Sequence, residues 1–168
     1  WAMMETPLGM LNAASIASHP KLQGMVMGTN DLAKELQTRH RTDRLPLQTS
    51  LGLCLLAAKA YGLAIVDGVY NAFKDDEGLQ VECEQGRDMG FDGKTLIHPA
   101  QIDVTNAAFS PTDKEVELAR RQIDAFQAAE AAGQGVAVVD GKIVENLHVA
   151  TARDTLAKVD AIAALATE

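Results

Sequence analysis

Short apolar runs, each ending on a polar residue or a glycine, alternate along this chain with longer segments whose apolar residues recur every three or four positions. Runs of the first kind suit strands buried in a parallel sheet, and segments of the second suit the helices that cross back over it. The pattern predicts strands over residues 2–4, 24–27, 63–66 and 94–97. Helices are expected over residues 10–18, just behind residue 31, over 47–61 and over 78–89. Thr6-Pro7-Leu8-Gly9 reads as a turn, His19-Pro20 as a helix stop and Gly62 as a helix end. Residues 39–44 are polar and basic and read as a solvated surface loop.

After Phe109-Ser110-Pro111 the style changes. A charged, alanine-rich helix is expected over residues 112–132, opened by the capping box Thr112 and Glu115. Gly133-Gln134-Gly135 ends it, and two short apolar segments then flank Asp140-Gly141, a two-residue hairpin signal. A last helix is expected over residues 148–166. The fold class that follows is α/β. Residues 1–110 form four βα units, as in the C-terminal half of a (β/α)8 TIM barrel carrying a metal site. Residues 111–168 form a helix–hairpin–helix lid or oligomerisation segment. A four-stranded open sheet is the structural alternative. Because the chain opens on Trp1 and is strand-like from its first residues, it is expected to be a piece of a longer protein.

Composition narrows the partners. With 168 residues, 47% apolar and 23% charged, the chain suits one ordinary globular core. A formal net charge of −8 argues against nucleic acid and against anionic membrane. No apolar run approaches the ~18–20 residues that span a bilayer, and no basic segment opens a secretory signal. A cytoplasmic protein is expected. Cys54 and Cys83 lack the spacing of a zinc site or a disulfide framework and read as reduced thiols.

In parallel barrels, function sits at the C-terminal strand ends, where this sequence puts Glu5, Asp31, Asp67 and His98. Glu5 and Asp31 end successive strands, so their carboxylates are rim neighbours. Such a pair, with its other positions open, suits Mg2+ (or Mn2+), and a divalent cation removes the repulsion between them. Gly9 and Gly28 would let backbone approach a ligand closely. The segments Pro7-Leu8 and Gly28-Thr29-Asn30, at the helix starts behind those strands, are the candidates for substrate binding, their N–H groups aimed at a carboxylate. Asp67 reads as a partner behind the site or a loop cap; His98, before Pro99 at a strand end, is a candidate for a chemical role, and the family resemblance given next implies a structural one in the final loop instead.

Met4-Glu5-Thr6-Pro7-Leu8-Gly9, Gly28-Thr29-Asn30-Asp31-Leu32, Ile65-Val66-Asp67-Gly68-Val69-Tyr70 and the run from Gly90 to Gln101 resemble the HpcH/HpaI aldolase/citrate lyase family. The resemblance runs essentially end to end and is strongest to its CoA-ester branch: citrate lyase β-subunit-like proteins, malyl-CoA lyases and malyl-CoA thioesterases. It implies a (β/α)8 barrel with a C-terminal lid, assembled as a homo-oligomer, a trimer or hexamer. It implies Mg2+ held at Glu5 and Asp31, and a CoA thioester and a small 2-oxo acid as partners. The implied reaction is cleavage or formation of a C–C bond beside a thioester, as in malyl-CoA giving acetyl-CoA and glyoxylate. The family's lid carries an aspartate as acid/base, and Glu145 stands at the matching position. The longer side chain leaves open a change to thioester hydrolysis. A CoA-independent aldolase and a non-catalytic binding or assembly module with a vestigial site are the other readings. The family's substrate arginine lies outside this chain, so the chain by itself is expected to be inactive.

Overall fold

The computed structural model describes residues 1–165. The chain divides into two compact units, Trp1–Phe109 and Ser110–Glu168. The expected end of the last helix, Ala166, lies outside the described residues.

In the first unit, β1 (Ala2–Met4), β2 (Gly24–Met27), β3 (Ala64–Asp67) and β4 (Gly93–Lys94) pair in parallel and in sequence order. Helices α1 (Pro7–Leu11) and α2 (Ala13–Ala17) follow β1, and α3 (Thr29–Glu35) and α4 (Gln48–Ala60) follow β2. Helix α5 (Asp76–Met89) leads into β4, and α6 (Ile102–Phe109) ends the unit. Consecutive parallel strands joined by helical crossovers are the repeating unit of a (β/α)8 barrel, so the unit is a partial barrel of the kind the sequence predicts.

Alternation along the strands sorts the side chains between two faces. Met4, Met25, Met27 and Ile65 are buried against Leu51 and Cys54 of α4 and Leu79 and Cys83 of α5, which makes the core. On the opposite face, Met3, Val26, Val66 and Gly93 lie in register. One alternation further, the same row continues as Glu5, Gly28, Gly68 and Thr95, each the first residue beyond its strand. The ladder reaches that far: the Gly28 N–H donates to the Met4 carbonyl at 2.9 Å, and the Thr95 N–H to the Asp67 carbonyl at 3.0 Å.

Three local expectations change. The helix expected over residues 10–18 begins at Pro7 and is broken at Asn12. Thr6 caps it, its Oγ1 accepting from the Gly9 N–H at 3.0 Å, and Pro7 at the first helical position is already set for helical φ. The fourth strand stops at Lys94 rather than residue 97, because the Ile97 N–H turns to Gln101 Oε1 (3.1 Å). The loop at 39–44 is not wholly solvated. Its last residue, Arg44, adopts φ 50° and is 4% exposed.

In the second unit, α7 (Asp113–Ala131) opens with the full capping box of Thr112 and Glu115. Strands β5 (Ala137–Val139) and β6 (Lys142–Val144) form an antiparallel hairpin. Asp140 and Gly141 between them take φ 50° and 74°, both positive as the tight hairpin turn requires. Asp140 also accepts both Arg121 Nη groups, at 2.7 and 2.8 Å. Helix α8 (Asn146–Leu165) completes the unit, and Phe126, Val139, Val144 and Val149 supply its core.

Candidate functional site

The row beyond the strand ends holds Glu5, and Asp31 follows three residues after Gly28, the member of that row beside it. Glu5 is half-buried directly after β1, and the Thr6 cap and Pro7 turn the chain away behind it. Gly28 sits opposite as the residue before α3, and Asp31 lies in the first turn of that helix. A Cβ on Gly28 would stand 2.6 Å from Glu5 Oε2, so the glycine makes room for the Glu5 carboxylate across the end of β2. Among the described residues, neither Glu5 nor Asp31 forms an ion pair or a side-chain hydrogen bond. No group of three or more His, Cys, Asp or Glu residues is gathered for a metal there or elsewhere among them. The rim nevertheless fits Mg2+, a hard ion satisfied by one or two carboxylates with water or substrate in its remaining positions. The donors are oxygen only, and the glycine cradle lets one of them lean over the strand end.

Around this pair, Pro7 and Leu8 occupy the start of α1, with Leu8 exposed. Thr29 is buried, and its side chain fills the space where Gly68 lacks a Cβ. Asn30 exchanges two hydrogen bonds with Asn71, at 3.0 and 2.8 Å, tying the start of α3 to the loop after β3. That clasp joins residues 41 apart and had no local signal in the sequence.

Asp67 belongs to a different environment. It is fully buried on the helix-facing side of β3, not in the row of Glu5 and Gly28. Its Oδ2 accepts from Arg44 Nη1 at 2.6 Å and from Lys94 Nζ at 3.3 Å, and its Oδ1 from the Gly68 N–H at 2.8 Å. Lys94 Nζ also reaches Glu82 Oε1 at 2.6 Å, and Arg44 Nε reaches Gln85 Oε1 at 2.6 Å. Two cations and two anions thus close a neutral network between sheet and helices, the arrangement that makes buried charge tolerable. Arg44, Lys94 and Glu82 were not legible as a group. Only the lysine in an otherwise apolar strand position hinted at a buried acidic partner.

His98 begins the short 3-10 turn Pro99–Gln101, its Nδ1 accepting from the Ala100 N–H at 3.1 Å. Its ring stacks on Phe73 with centroids 4.5 Å apart. Glu145 precedes α8 in the second unit. Its backbone carbonyl receives the first helical N–H groups, and its own N–H donates to His148 Nδ1 at 3.0 Å. The imidazole therefore does the reciprocal capping, and the Glu145 carboxylate is exposed with no partner among the described residues.

Known proteins match this frame. The family model described as HpcH/HpaI aldolase/citrate lyase matches residues 1–99. A (3S)-malyl-CoA thioesterase of Cereibacter sphaeroides is 76% identical over 164 residues, covering 98% of this chain and 58% of the thioesterase. The citrate lyase subunit beta of Escherichia coli is 34% identical over 160 residues, covering 95% of this chain and 53% of that subunit. A solved structure of the CitE protein of Mycobacterium tuberculosis, in complex with magnesium, acetoacetate and coenzyme A, superposes with a TM-score of 0.79 at 32% identity. It covers 93% of this chain, which covers 59% of it. The chain thus spans somewhat more than half the length of these relatives. No helix among the described residues is long and apolar enough to cross a membrane. By its motifs, its partial barrel and the matched model, the chain belongs to the HpcH/HpaI aldolase/citrate lyase family.

Proposed function

We propose that this chain forms the metal-binding part of a (3S)-malyl-CoA thioesterase, an enzyme that hydrolyses the thioester to malate and free coenzyme A. The observation that carries the reading is the 76% identity to a thioesterase of that substrate across nearly the whole chain, against 34% to a citrate lyase subunit. Hydrolysis is therefore favoured over C–C cleavage, and the lyase reaction becomes the second reading.

Glu5 and Asp31 would hold the metal, Mg2+ or Mn2+. Bound there, the ion would supply Lewis-acid polarisation and a fixed orientation for the substrate. Gly28 keeps the Glu5 carboxylate over the strand end, and the Asn30–Asn71 clasp holds the start of α3, and with it Asp31, in place. Pro7, Leu8, Gly28, Thr29 and Asn30 border the pair and form the wall against which the acyl group would rest. Glu145 is the candidate acid/base on the lid formed by residues 111–168. As a base it would take a proton from the attacking water; the C–S bond then breaks, and the thiolate leaves to be protonated. A homo-oligomer would bring that lid to a neighbouring subunit's barrel.

The test uses the longer protein that contains this chain, with malyl-CoA and Mg2+, following free thiol and glyoxylate separately. Thiol release without glyoxylate supports the thioesterase. Glyoxylate with acetyl-CoA restores the lyase, and neither product removes both.

A further inference from the structure

We propose that His148 is a positioning residue for Glu145: its imidazole caps the start of α8 in place of the Glu145 side chain, which fixes the Glu145 backbone and leaves the carboxylate available for chemistry. The role rests on the reading above that gives Glu145 the acid/base work of the lid.

A helix start commonly engages the side chain of the residue before it, and α7 shows this in the same unit. There Thr112 Oγ1 accepts from the Glu115 N–H at 3.3 Å, and Glu115 Oε2 accepts from the Thr112 N–H at 2.7 Å, so both side chains are engaged. Helix α8 starts differently. The Glu145 N–H donates to His148 Nδ1 at 3.0 Å, and the His148 N–H donates to the Glu145 carbonyl at 2.9 Å. His148 thus holds both backbone polar groups of Glu145. The N–H that a capping box would give to the Glu145 side chain goes to a carbonyl instead. The carboxylate is left exposed, with no partner among the described residues.

With no side chain to orient it, that carboxylate takes its position from its backbone. The backbone is held on both sides. At the hairpin turn, Arg121 binds Asp140 through both Nη groups, at 2.7 and 2.8 Å, which fixes the strand leading to Glu145. At the exit from the strand, the fixing contact is that of His148. A shift of about 1 Å at a reacting centre can cost ~10²-fold in rate, and a glutamate on a loose backbone moves by that much readily. A backbone N–H can only donate, so Nδ1 accepts and the ring proton sits on Nε2. Glutamine at this position offers an equivalent acceptor; leucine offers none. Val144 and Val149, each 1% exposed, anchor the turn in the core of the unit on either side, so variants at His148 should keep the fold.

The test compares His148→Leu, His148→Gln and Glu145→Gln in the longer protein that contains this chain, with malyl-CoA and Mg2+. His148→Leu should lower kcat by about tenfold or more and leave KM within about twofold, the mark of an interaction that matters in the transition state. His148→Gln should recover most of that loss, and Glu145→Gln should lower kcat by about 10²-fold or more. In the isotope-labelled chain, hydrogen exchange of the Glu145 amide should quicken by about tenfold in His148→Leu and return in His148→Gln. The Phe126 amide, in the core of the unit, should keep its protection and so report an intact fold. An unchanged kcat in His148→Leu beside a slow Glu145→Gln overturns the proposal and leaves the acid/base reading standing. Unchanged exchange of the Glu145 amide in His148→Leu overturns it as well. A His148→Gln as slow as His148→Leu overturns it in favour of direct action by the ring. Full activity in Glu145→Gln ends the acid/base reading, and this role of His148 with it.

Discussion

Two acidic groups at the C-terminal ends of β1 and β3 have opposite surroundings. Asp67, the last residue of β3, points toward the helices and meets Arg44, Lys94 and a backbone N–H. Glu5, one residue beyond the end of β1, points to the other face, where Gly28 clears a path for it and no cation answers it among the described residues. A single step in strand parity decides which carboxylate becomes structure and which stays available for a ligand. The first is a closed, neutral cluster whose loss should be felt in stability. The second is an open pair whose loss should be felt in binding and turnover.

Replacing Asp67 with Ala should give the largest change in stability. It removes the close carboxylate partner of buried Arg44 and leaves Lys94 with Glu82 alone, and unfolding in urea should show a loss of about 3–5 kcal/mol. A value near zero would place Asp67 with Glu5 and dissolve the contrast. Glu5→Gln and Asp31→Asn should behave in the reverse way. Each is expected to lower turnover of malyl-CoA by the longer protein about 10²-fold or more, while the urea midpoint moves by no more than ~0.5 kcal/mol equivalent. Gly28→Ala comes next. Its φ of −90° is open to alanine, but the added Cβ would meet the Cβ of Glu5 as well as its carboxylate, so Glu5 must shift as a whole, and metal affinity should fall by about 10–100-fold.

The smallest effect concerns the exposed pair beside the buried network. Arg41 donates to Asp43 and holds its carboxyl well below the usual carboxylate range, at about 2. A depressed folded value means that the pair's contribution is complete above the unfolded value near 4 and is lost as pH falls through about 2. NMR titration of the Asp43 carboxyl should show that midpoint, and in Arg41→Gln it should move up. An unmoved midpoint would show that the hydrogen bond from the Leu45 N–H, rather than Arg41, holds the charge.

Much of this was legible in the sequence because it is local. The strand at Gly24–Met27 is an apolar run that ends at a glycine, and the hairpin turn needs two positive φ values that Asp140-Gly141 readily adopts. The Thr112 capping box is likewise written within four residues. What escaped was long-range. Arg44 looked like the end of a solvated basic run because its partner lies 23 residues away, and the Asn30–Asn71 clasp spans 41. Lys94 finds Asp67 only after two strands pair in register. Thr6-Pro7 was read as a turn because proline signals both turns and first helical positions, and only the packing of α1 decides between them.

The separation of an open metal rim from a closed ion network is tested most directly by adding Mn2+ to the isotope-labelled chain and mapping paramagnetic line broadening by NMR, which detects even weak binding. Broadening should centre on Glu5, Thr6 and the Gly28–Asp31 segment, vanish in the Glu5→Gln/Asp31→Asn double variant, and spare the amides around Asp67 and Lys94. Broadening centred on Asp67, or unchanged in the double variant, would contradict the account.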